Sequence, residues 1–98
     1  MNKIKEISNF STVENLRVLI LSKNHIEVIK NVEAFKNLDV LDLHENKITK
    51  IENLNKLSNL RVLNLSNNLI ETLENLGGLK SLVELNLRKN KISVIKEL

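Results

Sequence analysis

The chain has 98 residues, of which 42% are hydrophobic and 28% are charged. This length suits one small domain, and the apolar content excludes an intrinsically disordered chain. The net charge of +3 does not by itself indicate a nucleic-acid partner, and the absence of cysteine excludes disulfides and thiolate metal sites. No stretch approaches the roughly 18 apolar residues that a membrane-spanning helix needs, so we expect no membrane segment.

A pattern of leucine, asparagine and isoleucine recurs along the chain with an unbroken period of 22 residues. Its first half reads Leu-x-x-Leu-x-Leu-x-x-Asn-x-Ile and begins at Leu16, Leu38, Leu60 and Leu82. Residues 1–15 keep the same register as a partial repeat. Self-similarity at a fixed period of this length is typical of solenoid proteins, in which each unit stacks on the next.

Each repeat contains two apolar spacings that predict different local structures. Leu-x-Leu at period two predicts a short strand. We place these strands near residues 18–21, 40–43, 62–65 and 84–87. Apolar residues at every third position follow each strand, and this spacing suits a 3₁₀-like return in which residues three apart eclipse. One unit cannot bury its own apolar edge, so we expect the strands to join in a parallel sheet.

These elements predict an α/β fold in the form of a right-handed solenoid that curves into an arc. We expect about four short parallel strands on its concave face and 3₁₀-rich returns on its convex face. We expect residues 1–98 to form a single domain with repeats starting at 16, 38, 60 and 82. Solenoids need polar caps at their ends, and neither end has a cap motif. The chain is therefore expected to be a segment of a longer repeat array, or a protein whose ends are covered by something else.

An asparagine follows each predicted strand at the point where the chain must bend away from the sheet. The bend leaves backbone groups without partners, and an inward-pointing amide supplies both donors and an acceptor. We therefore predict a structural asparagine ladder formed by Asn24, Asn46, Asn68 and Asn90. A second asparagine column precedes each period-three stretch and is predicted to hold turn or cap positions. Its members are Asn9, Asn31, Asn53 and Asn75.

The repeats resemble the short, 22-residue class of leucine-rich repeats, typified by a regulatory subunit of protein phosphatase 1. Residues 51–54 (Ile-Glu-Asn-Leu) and 63–68 (Leu-Asn-Leu-Ser-Asn-Asn) carry this resemblance, which covers the whole chain. Residues 38–92, with Leu-Asp-Leu-His at 41–44 and Leu-Asn-Leu-Arg at 85–88, are also similar to a leucine-rich-repeat subunit of the tubulin polyglutamylase complex. The resemblance implies protein binding on the concave sheet face, in cytoplasm, nucleus or cilium.

Alternate residues of each predicted strand point away from the core and form a candidate partner-binding surface. We call this surface the outer sheet face and define it by Val18, Ile20, Val40, Asp42, His44, Val62, Asn64, Glu84, Asn86 and Arg88. The apolar members form a stripe that contains Val18, Ile20, Val40 and Val62. We call this set the apolar stripe, and we call the other six residues the polar rim. β-branched residues also suit strands for purely structural reasons, so two interpretations of the stripe stay open. An apolar centre with a polar rim favours protein binding.

Catalysis and cofactor binding are not indicated by the sequence. Ser66, His44 and Asp42 share the outer sheet face, but an open surface implies neither a pocket nor an oxyanion hole. We therefore predict no enzyme activity and no small-molecule substrate. His25 and His44 occupy different repeat positions and have no cysteine partners, so we predict no metal site and no cofactor.

The expected function is a protein-interaction scaffold or adaptor, in the manner of a regulatory or targeting subunit, that binds a protein partner of unknown identity. One alternative is a structural module that self-associates end to end. A second is a nucleic-acid-associated protein, favoured by Arg88, Lys89 and Lys91 but opposed by the lack of aromatic residues outside the core pattern. We expect a cytoplasmic location, with nucleus or cilium as alternatives, because residues 1–6 lack the apolar run of a signal peptide.

Overall fold

The computed structural model describes residues 15–96, and six short β-strands lie in that range. In chain order they are β1 (Val18–Ile20), β2 (Val40–Asp42), β3 (Val62–Asn64), β4 (Thr72–Leu73), β5 (Glu84–Asn86) and β6 (Val94–Ile95). Asn9 and the partial repeat before residue 15 lie outside the described residues.

The main sheet contains four parallel strands in the order β1-β2-β3-β5. Val18 pairs with Val40, Val40 with Val62 and Val62 with Glu84, so neighbouring strands are offset by one repeat. The backbone ladder continues beyond the strands, because the Glu45 amide donates to the Ser66 carbonyl at 3.0 Å. The prediction of a four-stranded parallel sheet is confirmed, and each strand begins at the residue that the Leu-x-Leu spacing indicates.

The core is a continuous stack of apolar side chains between the sheet and the returns. Leu41 and Leu63, at the middle of β2 and β3, are fully buried, as is Phe35 in the first described return. The equivalent Leu85 of β5 is only partly buried and packs against this stack from one side. Burial therefore follows the stacking of repeats, since each apolar layer is covered by the layers on either side.

The returns are built from separate turns and not from helix. In one of them, the Leu57 amide donates to the Leu54 carbonyl and the Leu60 amide donates to the Leu57 carbonyl, both at 3.1 Å. These bonds join residues three apart, as in a 3₁₀ helix, but successive bonds are also three residues apart and never form a continuous helix. No helix is found in residues 15–96, so the expected 3₁₀-rich returns and the helical part of an α/β fold are not confirmed there.

A second, two-stranded sheet lies in the returns and is not predicted by the sequence analysis. Parallel pairing joins β4 to β6, with Thr72 opposite Val94 and Leu73 opposite Ile95.

Within residues 15–96, no helix has both the length and the apolar composition that a membrane-spanning segment requires. The right-handed sense of the coil stays a prediction.

Candidate functional site

The register of the main sheet aligns the outer sheet face into columns that run across the strands. The first column contains Val18, Val40, Val62 and Glu84. The second column contains Ile20, Asp42, Asn64 and Asn86. A third column follows the strand ends at the same repeat position and contains Ser22, His44, Ser66 and Arg88. All ten predicted partner-binding residues thus lie in these columns, and two serines join them.

The apolar stripe is most exposed on β1. Val18 is 48% exposed and Ile20 is 61% exposed, whereas Val40 and Val62 are half-buried. Strand alternation alone predicts that all four side chains are exposed, and the structure corrects this expectation for the two inner valines. Each of those lies between neighbouring strands about 4.8 Å away, whose side chains cover its flanks. The stripe is nevertheless continuous, because Val40 lies beside Val18 of β1 on one side and beside Val62 of β3 on the other.

The polar members of the second column hydrogen-bond to their own strand exits. The side-chain oxygen of each accepts the backbone N–H two residues later, at 3.1 Å for Asp42, 3.0 Å for Asn64 and 3.1 Å for Asn86. Ile20 occupies the same position in the first described repeat and has no such acceptor. These bonds fix the orientation of three rim side chains and satisfy backbone donors where the chain bends.

The serine, histidine and aspartate on the outer sheet face do not form a catalytic relay. His44 Nδ1 lies 2.7 Å from Asp42 Oδ1, and His44 Nε2 lies 3.9 Å from Glu45 Oε1. The Ser66 hydroxyl donates instead to Asn64 Oδ1 at 2.9 Å. The hydroxyl proton is therefore directed away from the histidine that a relay would require. Within residues 15–96, no three histidine, aspartate or glutamate side chains are grouped so that they could hold a metal ion.

The ladder asparagines bond to backbone groups of neighbouring turns. Asn46 Oδ1 accepts the Ile26 N–H at 3.0 Å, and Asn46 Nδ2 donates to the carbonyl oxygens of Leu21 and Leu43, each at 3.0 Å. The same donation to the carbonyl three residues earlier is made by Asn24, Asn68 and Asn90. One buried amide thus joins two adjacent repeats, and the ladder is part of the scaffold that positions the outer sheet face.

The second asparagine column occupies left-handed turns. Asn31, Asn53 and Asn75 have φ of 64°, 64° and 61°, a region that asparagine tolerates better than most residues. Asn53 Nδ2 also donates to the Ile29 carbonyl at 2.6 Å, which ties its turn to the preceding repeat. The prediction of turn positions is confirmed for these three residues, and Asn9 lies outside the described part of the chain.

The family follows from comparison with known sequences. A family model described as "Leucine rich repeat" matches residues 36–92, which is more than half of the chain. The chain belongs to the leucine-rich-repeat family. A second model of the family, which covers two repeat copies, matches residues 14–56. Leucine-rich repeats typically serve as protein-interaction modules and not as enzymes.

Among solved structures, the leucine-rich repeats are similar to an internalin from Listeria monocytogenes. The match has a TM-score of 0.81 and 29% sequence identity, and it covers 99% of this chain. The chain spans only about a third of that protein, because the match covers 33% of the internalin. No curated protein matches the sequence. The comparisons therefore support the family, and not the finer likeness to a phosphatase or polyglutamylase subunit.

An ion pair beside the outer sheet face was missed by the sequence analysis. Arg61 Nε lies 2.7 Å from Asp39 Oδ1, and Arg61 Nη2 lies 3.1 Å from Asp39 Oδ2. This hydrogen-bonded guanidinium lowers the pKa of the Asp39 carboxyl, and the charge of nearby Arg17 lowers it further. The sequence does contain a pattern that predicts this pair. Asp39 and Arg61 have opposite charges at the same position of consecutive repeats, 22 residues apart, and stacking places such residues side by side.

Proposed function

We propose that the outer sheet face binds a protein partner and that the chain acts as a scaffold or adaptor. The observation that carries the proposal is the exposed apolar surface of Val18 and Ile20, which continues into the half-buried Val40 and Val62. We further infer that this face is the concave side of the arc, as the curvature of leucine-rich repeats would place it. Burial of such a stripe gives a favourable free energy of association.

The polar rim supports the same proposal because it is partly ordered before any partner arrives. Asp42, Asn64 and Asn86 are each held by a backbone N–H of their own strand exit. A side chain that is already fixed loses less conformational entropy on binding than a free one. The rim can therefore contact a partner with the atoms left over from these bonds, while the stripe supplies the apolar centre.

The test is affinity capture from the cells that make this protein, with a double variant of the stripe as the key sample. Val40→Lys combined with Val62→Glu adds two opposite charges to the outer sheet face. The matched control combines Ala34→Lys with Ser58→Glu, which adds the same two charges at exposed positions of the returns. Neither pair alters a fully buried residue, and urea unfolding checks that each variant keeps its fold.

The proposal predicts that wild type and control capture the same protein and that the stripe variant loses it. Both introduced charges lose their water when the apolar interface forms, and this desolvation reduces binding by more than about 1 kcal/mol even where the two charges, on neighbouring strands, pair with each other. Recovery of the same protein by the stripe variant at wild-type yield would reject the outer sheet face and direct attention to the returns.

A further inference from the structure

A polar cleft lies on the outer sheet face where β3 and β5 end. Its lining residues are Ser66, Asn67, Asn86, Arg88 and Lys89, and we call it the basic cleft. Two of the five are cationic, and no acidic side chain lines the cleft. Val62 of the apolar stripe lies at the opposite end of β3, so a partner that crosses the face meets both features.

The two cations of the basic cleft have no ion-pair partner within residues 15–96. Neither Arg88 nor Lys89 has a carboxylate within 4 Å in that range. Arg61, by contrast, is engaged by the bidentate contact with Asp39. A guanidinium and an ammonium that converge on one cleft without a counter-charge favour an anionic oxygen ligand.

The neutral side chains of the basic cleft add donors and few acceptors. Asn86 Oδ1 already accepts the Arg88 N–H at 3.1 Å, while the side-chain nitrogens, Nδ2, of Asn67 and Asn86 donate no hydrogen bond in the described part of the chain. The Ser66 hydroxyl hydrogen is engaged by Asn64. The unused groups are therefore mainly N–H donors, which suit a carboxylate and do not suit a cation.

We propose that the partner of the outer sheet face presents an acidic side chain, aspartate or glutamate, whose carboxylate is held by Arg88 and Lys89. This inference rests on the proposed function, because it places the acidic residue relative to the apolar stripe. Val62 lies opposite Glu84 on the neighbouring strand, and Arg88 follows Glu84 by four residues. At a rise of about 3.3 Å per residue and a strand spacing of about 4.8 Å, the α-carbons of Val62 and Arg88 are about 14 Å apart. An extended partner segment covers that distance in about four residues.

The experiment selects binders from a library of random dodecapeptides displayed on phage, with the full chain as target. The variant Arg88→Ser with Lys89→Asn removes both cations and installs the residues that the preceding repeat has at Ser66 and Asn67, so the fold tolerates the change. The matched control is Lys56→Asn with Lys80→Ser, which removes two exposed cations from the returns. The stripe variant Val40→Lys, Val62→Glu completes the set.

The inference predicts that wild type selects peptides with an acidic residue about four positions from an apolar residue. These peptides should bind the Arg88→Ser, Lys89→Asn variant about tenfold more weakly, bind the control as well as wild type, and weaken with added salt. Peptides that lose affinity for the stripe variant but not for the cleft variant would overturn this inference and leave the proposed function standing.

Two other outcomes also overturn the inference. If wild type enriches no peptide more strongly than the stripe variant does, both the acidic partner and the proposed function are contradicted. If no acidic peptide is selected but fluorescent oligothymidylate binds wild type and not the cleft variant, the basic cleft belongs to a nucleic acid. The second result is opposed by the lack of an aromatic platform on the outer sheet face.

Discussion

Two asparagines of consecutive repeats illustrate how position decides the role of one side chain. Asn46 is buried and joins backbone groups of two turns, whereas Asn64 lies half-buried on the outer sheet face and accepts bonds from its own strand exit. The amide is the same in both places. The difference is that water can replace the contacts of Asn64 but cannot reach those of Asn46.

Replacing Asn46 by Ala should therefore reduce stability more than replacing Asn64 by Ala. The first change leaves the Ile26 amide without an acceptor, at about 1–3 kcal/mol for a buried group left unsatisfied. It also removes one of the two asparagine donors from each of the Leu21 and Leu43 carbonyl oxygens. The second change leaves its backbone donor accessible to solvent. Urea unfolding of both variants measures the difference, and equal midpoints would contradict the ladder interpretation.

The Asp39–Arg61 pair gives a prediction about pH. The hydrogen bond from Arg61 lowers the pKa of Asp39 in the folded chain, so its stabilising effect is present above the unfolded pKa of about 3.9 and is lost as the pH falls through the lower folded value. The urea midpoint of wild type should exceed that of Asp39→Asn at neutral pH and approach it in acid. The exposed Glu27→Gln serves as control, and a gap for Asp39→Asn that is unchanged in acid would contradict the prediction.

At the scale of the elements, the strands follow directly from the sequence and the returns do not. Leu-x-Leu gives an inward face only to an extended chain, so the positions of β1, β2, β3 and β5 are determined by local pattern. The three-residue spacing of the returns fits a 3₁₀ helix and a series of single turns equally well. Hydrogen bonds between neighbouring repeats, such as the one from Lys96 to the Leu73 carbonyl at 2.9 Å, decide between them, and no local pattern encodes those bonds.

The pair Gly77-Gly78 allows one return to approach the preceding one closely. A Cβ at Gly78 would lie 2.5 Å from the carbonyl oxygen of Asn55, which is backbone and cannot move aside easily. We expect Gly78→Ala to reduce the free energy of unfolding by about 1–3 kcal/mol through overpacking. The exposed neighbour provides the control, and Gly77→Ala should have a much smaller effect in the same thermal or urea unfolding experiment. Equal effects would contradict the close approach.

At the scale of the whole molecule, stability should depend on how many repeats cover a given layer. Leu63 lies between two described layers and is fully buried, whereas Leu85 in the last strand of the main sheet is only partly buried. Leu63→Ala should cost about 2–5 kcal/mol because it opens a cavity in the core. Leu85→Ala should cost less in the same urea unfolding series, since its layer is already partly open. The reverse order would contradict the stacked arrangement.

The outer sheet face could be outlined from sequence because strand alternation assigns each residue to one side. Its energetic details could not, since the half-burial of Val40 and Val62 depends on side chains 22 residues away in both directions. The Asp39–Arg61 pair and the basic cleft also arise between repeats. Contacts at this separation are visible in a sequence only after the sheet register is known.

The outer sheet face as a protein-binding surface is tested most directly by photo-crosslinking in the cells that make the chain. The photoreactive residue p-benzoylphenylalanine replaces Asn64 on the outer sheet face in one sample and exposed Lys56 in the returns in another. Our account predicts a covalent adduct with a partner protein from position 64 and none from position 56. Adducts formed only from position 56 would contradict it and would place the binding surface on the returns.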